Sequence, residues 1–431
     1  MNLIDNLSEK WERITYPFLI HKENELYFDD IKKQALTDLS KVNSGDVVAL
    51  IGDFEPKTIS TLLHLIDKNV ILVPLTKATR SQHDYFFESA FIDVVIEGGS
   101  VIRHKHRRQH ALIQKLRSEK RAGLILFSTG TTGRPKAILH DLTLFLKRFD
   151  TPRPTLKTLN FLLFDHIGGL NTLFHTLFNK GTVIAPESRA VEDILNICHK
   201  YQVEVLPTTP TFLRMMLISG LIPEKIPESL RIITYGTERM DQPTLDELCR
   251  LLPNIDFRQT FGMSELGIVR VKSEARDSLY MQVGGEGVET RVVDNILEIR
   301  SQTRMLGYLN ADTPFDKDGW YNTKDIVNEK NGFHQVTGRT TEVINVGGLK
   351  FMASEIERTA LQIKGILFAK AVGRENPVTG QHVELHVQSE DNNVNKKEIR
   401  KFFVEKNIQS HMVPKRIHFV KLEIGHRFKK K

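Results

Sequence analysis

The 431-residue sequence predicts an α/β protein, and three observations carry that expectation. Short Val-, Ile- and Leu-rich runs alternate with helical stretches from about Asp29 to Leu252. The glycine-rich string Val283-Gly284-Gly285-Glu286-Gly287 then opens a more β-rich segment. Beyond Gly338-Arg339 the alternation shortens and reads as α+β. The expected organisation is a large N-terminal domain, residues 1–338, and a small α+β C-terminal domain, residues 339–431. The large domain should hold mostly parallel sheets covered by helices, plus a β-rich subdomain, because continuous apolar strands suit sheets buried on both faces. About ninety residues are enough for the small domain to have its own core.

Taken in order, Asp29 and Asp30 are placed to cap a helix with Ile31, Ala35 and Leu39 on one face. Val47–Ile51 reads as a strand, Thr58–Ile66 as a helix, and Val70–Val73 as a strand ended by Pro74. Leu124–Phe127 is expected as a buried strand. Next come a helix at Val191–Tyr201, a strand at Val203–Leu206, a helix at Thr211–Ile218, a strand at Ile232–Tyr235 and a helix at Gln242–Leu252. In the last part, Ser354–Leu361 and Lys396–Val404 read as helices. His382–Val387 alternates like a half-exposed strand, and Ile417–Val420 is extended.

Composition narrows the function classes. Hydrophobic residues make up 40% and charged residues 26%, as in an ordinary globular chain. No apolar run approaches the roughly 20 residues that span a bilayer. The start, Met1-Asn2-Leu3-Ile4-Asp5, shows neither the basic nor the apolar region of a secretion signal. Cys198 and Cys249 have no metal-ligand spacing, so a reducing cytoplasm is expected. The net charge of +7 suits a protein handling ATP and CoA, and equally a weak nucleic-acid binder. No aromatic interleaving accompanies the basic residues, so nucleic acid is not the expected partner. The run Arg103-His104-Lys105-His106-Arg107-Arg108, with His110 nearby, lacks acidic or cysteine ligands and reads as a solvated basic loop.

Four strings carry chemistry. In the first, an apolar run gives way to Ser128-Thr129-Gly130-Thr131-Thr132-Gly133, followed by Arg134-Pro135-Lys136. Gly130 and Gly133 let the backbone curl towards a ligand, while hydroxyls, backbone N–H groups and the Lys136 charge suit a polyphosphate. The Gly-Lys-Ser/Thr of a Walker loop is missing. In the second, Thr260-Phe261-Gly262-Met263-Ser264-Glu265, an aromatic beside a glycine can lie against a purine. The adjacent hydroxyl and carboxylate suit phosphate and a hard cation. Taken alone, this string also reads as a strand end followed by a turn. The third, Gly319-Trp320-Tyr321-Asn322-Thr323-Lys324-Asp325, ends in an acid able to accept from both ribose hydroxyls; a surface turn is the alternative. The fourth runs from Gly338-Arg339 through Gly347-Gly348 to Lys350.

In this order the four strings resemble those of the adenylate-forming enzymes: acyl-CoA synthetases, luciferases and the adenylation domains of peptide synthetases. The resemblance runs from about Leu26 to the C-terminus and implies ATP, Mg²⁺ and CoA as cofactor and substrates. It makes Ser128 to Gly133 and Lys136 the phosphate loop, Ser264 a phosphate contact and Glu265 the Mg²⁺ ligand. Phe261-Gly262 takes the place of the family's Tyr-Gly, keeping the stacking face and losing the hydroxyl. Asp325 would hold the ribose, although Lys324 stands where the family has glycine. Arg339 would contact ribose or phosphate, and Thr341 would be the hinge. Gly347-Gly348 matches the loop that approaches the thiol tunnel. Tyr235-Gly236-Thr237 corresponds to the loop lining the adenine and acyl pockets. His166, in Phe164-Asp165-His166-Ile167-Gly168-Gly169, falls at the mouth of the acyl site.

The family closes with a Gly-Lys whose cation offsets charge as the acyl oxygen attacks phosphorus. Here Phe428-Lys429 takes that place, making Lys429 the catalytic candidate. The short separations Ile96–Leu124 and Glu265–Glu298 suggest a compact ligase for a small or medium acid. The expected activity is acyl-AMP formation from a carboxylic acid, with transfer to CoA. The alternatives are transfer to a carrier-protein phosphopantetheine, or nucleotide binding without ligase activity.

Overall fold

The computed structural model describes residues 3–33, 38–104, 109–128, 134–390 and 394–421. Two seven-stranded sheets form the centre of the molecule. The first runs Asp256–Gln259, Ile232–Tyr235, Val205–Thr208, Thr158–Leu159, Val183–Ala185, Leu19–His21 and Asn24–Leu26, parallel except for the last strand. In the second, Gly123–Phe127, Ile71–Leu75, Val47–Ile51 and Val94–Glu97 are parallel. Antiparallel strands flank them on both sides: Ala137–Asp141 and Gly307–Tyr308, and Ser100–Arg103.

The helices Pro56–Asp67 and Ile167–Phe178 lie between the two sheets. Leu62, Leu65, Leu170 and Phe174 share one apolar cluster with Leu50 and Leu72 of one sheet and Leu19 and Val183 of the other. The outer face of the first sheet is covered by Val191–Lys200, Pro210–Ile218 and Gln242–Leu251. That of the second is covered by His83–Ser89 and Ala111–Ser118. Both central sheets are thereby buried on two faces, which is why the all-apolar strand Val47–Ile51 carries no polar alternation.

A six-stranded antiparallel sheet follows, from Arg270–Ser273 to Phe333–Arg339. A short exposed turn, Thr340–Glu342, leads to a five-stranded sheet with the helices Ala353–Ala360 and Lys396–Glu405. This last unit has its own apolar cluster, including Ile356, Leu385, Ile399 and Phe403.

The expected α/β class is observed, with local differences. The helix after Asp29 and Asp30 covers Phe28–Lys33; Ala35 lies outside the described residues, and Leu39 belongs to a separate 3₁₀ turn capped by Asp38. Pro74 does not end its strand but sits inside Ile71–Leu75. Ile71 and Leu75 hydrogen-bond towards Val47–Ile51, so Pro74 faces the neighbour Gly123–Phe127, and pairing on that side has stopped at Leu72. No ladder donor is missed there. The strand expected at Val203–Leu206 is shifted to Val205–Thr208 because Gln202, at φ 52°, turns the chain first.

Candidate active site

The phosphate-loop string leaves the carboxyl end of one central strand and returns in the next. Ser128 N–H donates to the Lys136 carbonyl at 3.0 Å, and Lys136 N–H donates back to Ser128 Oγ at 3.0 Å, closing the base of the loop. Thr129, Gly130, Thr131, Thr132 and Gly133 lie outside the described residues. The base is braced from two sides. Tyr85 Oη donates to the Pro135 carbonyl at 2.8 Å, while Asn310 accepts from Ala137 N–H at 2.9 Å and donates to Pro135 at 3.2 Å.

Lys136 Nζ stands 4.7 Å from the centre of the Tyr308 ring, and Tyr308 Oη donates to Glu265 Oε1 at 2.8 Å. Burial, then the Glu265 carboxylate, hold the Tyr308 phenol well above its ordinary pKa, so it stays a donor. The backbone beside Glu265 is fixed independently. His140 is fully buried and held neutral, with its pKa near 4, and its Nε2–H donates to the Ser264 carbonyl at 2.6 Å. Met305 N–H donates to the Glu265 carbonyl at 2.8 Å.

Asp325 and Arg339 face each other on paired strands, Tyr321–Lys330 and Phe333–Arg339. Arg339 Nε donates to Asp325 Oδ1 at 2.9 Å, and its Nη2 to the Thr323 carbonyl at 3.0 Å. Burial raises the Asp325 carboxyl to about 6 against the opposing pull of Arg339. Lys324 adopts φ 62°, the left-handed conformation that glycine takes freely, so the bend before Asp325 is kept despite the lysine. Tyr321 stands within electrostatic reach of both halves of the site. Its phenol is raised first by burial and then by Glu265, and it also feels Asp325 and Arg339. Lys136, Tyr308 and Glu265 thus form one chain of contacts and Asp325 and Arg339 a second, with Tyr321 within electrostatic reach of both, and all of these residues but Tyr308 come from the four sequence strings.

The loop after Ile232–Tyr235 approaches that string closely. A Cβ on Gly236 would overlap the Thr260 hydroxyl and carbonyl oxygens, so only glycine fits there. Thr237 has φ 69°, and its hydroxyl is buried without a hydrogen-bond partner among the described residues. Tyr235 is 1% exposed, packed in the core of the first sheet, and its backbone carbonyl accepts from Thr260 N–H at 2.7 Å. Phe261 is half-buried against the cluster that holds Leu266 and Met281, while the exposed Gly262 begins the two-residue strand Gly262–Met263.

His166 has a structural task. Its Nδ1 accepts from Gly168 N–H at 3.0 Å, capping the helix Ile167–Phe178. Gly169 is required because a Cβ there would overlap the Leu163 carbonyl. Lys429 lies outside the described residues. Sequence reading missed Tyr308, Asn310, Tyr321 and His140. The string Gly307-Tyr308-Leu309-Asn310, shortly before Gly319-Trp320, was the available signal for the first two. His140 had none, since a lone histidine in an apolar strand carries no motif.

The fold and this cluster define an adenylate-forming architecture, and comparison with known proteins agrees. Residues 47–300 match the family described as AMP-binding enzyme, and the chain belongs to that family. It is 26% identical over 330 residues to a 2-succinylbenzoate–CoA ligase of Bacillus licheniformis, covering 69% of this chain and 66% of that one. It is 28% identical over 331 residues to a 2-hydroxy-7-methoxy-5-methyl-1-naphthoate–CoA ligase of Streptomyces carzinostaticus, covering 68% and 58%. The chain thus spans between half and two thirds of the length of the curated relatives it matches. Among solved structures, it superimposes on o-succinylbenzoate CoA synthetase from Bacillus subtilis with its acyl-adenylate intermediate, with TM-score 0.78, 17% identity and coverage of 100% and 96%. ATP-bound MatB from Rhodopseudomonas palustris gives TM-score 0.82, 18% identity and coverage of 99% and 96%.

Proposed function

We propose that this chain is an ATP-dependent acid–thiol ligase. A carboxylate attacks the α-phosphate of ATP, pyrophosphate leaves, and the acyl-AMP is then opened by the thiol of CoA with release of AMP. The observation that carries this reading is the contact chain Lys136–Tyr308–Glu265 together with the Asp325–Arg339 pair, both within electrostatic reach of Tyr321. This arrangement supports a reading in which the cations meet phosphate, one carboxylate a hard cation and the other ribose.

Each residue has a stated task. Lys136 and Arg339 neutralise phosphate charge, and Ser264 contacts phosphate. Asp325 accepts from the ribose hydroxyls, and Phe261 lies against adenine over the space that Gly262 leaves open. Glu265, an oxygen donor beside the Ser264 hydroxyl, fits Mg²⁺, which supplies charge neutralisation on the phosphates when bound. Lys429 supplies the cation opposite the attacking carboxylate. His166, pinned by its capping bond, borders the acyl site. Catalysis then needs no protein nucleophile, only positioning and charge.

The chain divides at residues 338 and 339, and the C-terminal part turns about Thr341 between the two half-reactions. The exposed Thr340–Glu342 turn and the separate core beyond it support that division. Gly347 and Gly348, at φ 62° and 89° in an exposed hairpin, are free to approach a thiol. We also place the protein in the cytoplasm. Both cysteines are free thiols, and among the described residues no helix is long and apolar enough to cross a membrane.

The test is carboxylate-dependent ATP–pyrophosphate exchange with aryl, short, medium and long-chain acids, followed by AMP release on adding CoA or a carrier-protein phosphopantetheine. Exchange with one class of acid, abolished by Glu265→Ala and cut at least 100-fold by Lys429→Ala, is expected (about 3 kcal/mol of transition-state stabilisation). Tight ATP binding without exchange for any acid would overturn the ligase reading.

A further inference from the structure

Away from this site, the C-terminal sheet carries a group of residues that the ligase chemistry does not use. Strands Gly380–Ser389 and Arg416–Phe419 run parallel, with Glu384 opposite Arg416 and His386 opposite His418. Val383, Leu385, Val387 and Ile417 point into the core. Strand alternation therefore puts His382, Glu384, His386, Arg416 and His418 together on the other face. One donor atom from each of Glu384, His386 and His418 lies within 4.8 Å of the others.

Three details argue for a ligand set and against a plain ion pair. The imidazole rings of His386 and His418 are stacked, 4.9 Å apart at 21°, so they present their edges in one direction. His418 Nε2 is buried with no hydrogen-bond partner among the described residues, and it faces Glu384 Oε2 at 3.6 Å. That separation is too long for a hydrogen bond. It is close to the roughly 3.3 Å between two donors held at about 2.0 Å on one tetrahedral ion. Finally, Glu384 is already oriented from its other side, where His382 Nε2 lies 3.2 Å from Oε1. A hydrogen bond to a ligating carboxylate is how such ligands are usually fixed.

We propose that Glu384, His386 and His418 form a binding site for a transition-metal dication of the Zn²⁺ class, fastening strand Arg416–Phe419 to strand Gly380–Ser389. Two imidazoles and one carboxylate select Zn²⁺, Co²⁺ or Ni²⁺ over Mg²⁺ or Ca²⁺, which prefer all-oxygen sets. The opposing charges are Arg374, with Nε 3.7 Å from Glu384 Oε2, and Arg416, with Nη1 3.4 Å from Oε1. Both side chains are more than half exposed, at 61% and 66%, and can swing into solvent when an ion enters. Lys370, paired with His386 on strand Ile366–Asn376, adds a third positive charge to this face. The site is therefore of moderate affinity, and removing an arginine strengthens it.

The experiment uses the metal-stripped full-length protein titrated with Co²⁺, followed by visible absorption and then by displacement with Zn²⁺. One equivalent with the absorption of a four- or five-coordinate nitrogen/oxygen site is expected. His386→Gln and His418→Gln should each weaken that binding at least 10-fold. Glu265→Gln and His110→Gln should leave it intact, which separates this site from the proposed Mg²⁺ position and from the basic loop. Arg416→Ala should tighten binding several-fold, a gain that a merely unfolded variant cannot produce. Zn²⁺ should raise the midpoint of thermal unfolding in the wild type and not in His418→Gln. No stoichiometric binding, binding that survives both histidine changes, or a loss of affinity in Arg416→Ala would each overturn the proposal.

Discussion

Replacing Lys324 by glycine is expected to stabilise the protein, although glycine usually weakens a strand. The strand Tyr321–Lys330 bulges against its neighbour Ile296–Ser301: the register passes from Glu298↔Asn322 to Ile296↔Ile326, so residues 323–325 face Leu297 alone. Lys324 sits in that bulge at φ 62°, exposed, with its N–H donating to Asn322 Oδ1 at 2.9 Å. The bulge turns Asp325 inward to meet Arg339. A residue with a Cβ in this conformation costs about 1–2 kcal/mol, whereas glycine adds roughly 0.5–1 kcal/mol of unfolded-chain entropy. The lysine side chain makes no hydrogen bond that would be lost among the described residues. Lys324→Gly should therefore gain about 0.5–1 kcal/mol, read as a higher urea midpoint at unchanged slope. Lys324→Ala keeps the strain and should stay within about 0.5 kcal/mol of wild type. A loss of stability in the glycine variant, or an equal gain in the alanine variant, would refute the argument.

Asp325 should make both stability and nucleotide affinity depend on pH. Its folded carboxyl, at about 6, lies above the ordinary 3.8, so the stability it contributes is present at low pH and falls as pH rises through about 4 to 6. The span corresponds to on the order of 2–3 kcal/mol, and Asp325→Asn should flatten that limb of the stability profile. Nucleotide affinity should run the opposite way, weakening below about pH 6 in wild type only, because the ribose hydroxyls need the ionised carboxylate. Gly169→Ala, whose Cβ would overlap the Leu163 carbonyl, should cost about 1–3 kcal/mol by chemical denaturation. Tyr308→Phe should lower exchange activity roughly 10-fold by releasing Glu265 Oε1, with little change in stability. Arg239 donates to the Thr337 carbonyl at 3.2 Å and pairs with Glu357 at 3.5 Å, bridging the body to the last unit. Arg239→Ala should leave stability within about 1 kcal/mol but speed tryptic cleavage between Arg339 and Lys350.

What the sequence determined by itself was whatever chemistry demands of consecutive residues. A loop proposed to wrap phosphate needs its glycines and hydroxyls side by side, so Ser128 to Lys136 was legible as a string. Buried parallel strands need unbroken apolar runs, so Val47–Ile51 and Ile232–Tyr235 were placed to the residue. The string around Asp325 was legible too, but a lysine at the glycine position left the backbone shape there open, and only the structure shows the bend at φ 62°.

Tertiary structure decided how those strings meet. Lys136, Glu265 and Asp325 lie far apart in sequence, and they are linked by Tyr308 and Tyr321, whose roles come from packing and not from any local pattern. The same holds for the packing of single residues. Tyr235 sits in a motif-like loop, yet its ring is claimed by the apolar core around Leu245 and Phe257. His166 follows an apolar run, yet its ring is committed to a helix end. His386 and His418 become neighbours only because two strands pair in parallel register. A side chain's chemistry is fixed by its covalent structure, but its solvent exposure and partners are fixed by segments remote in the chain.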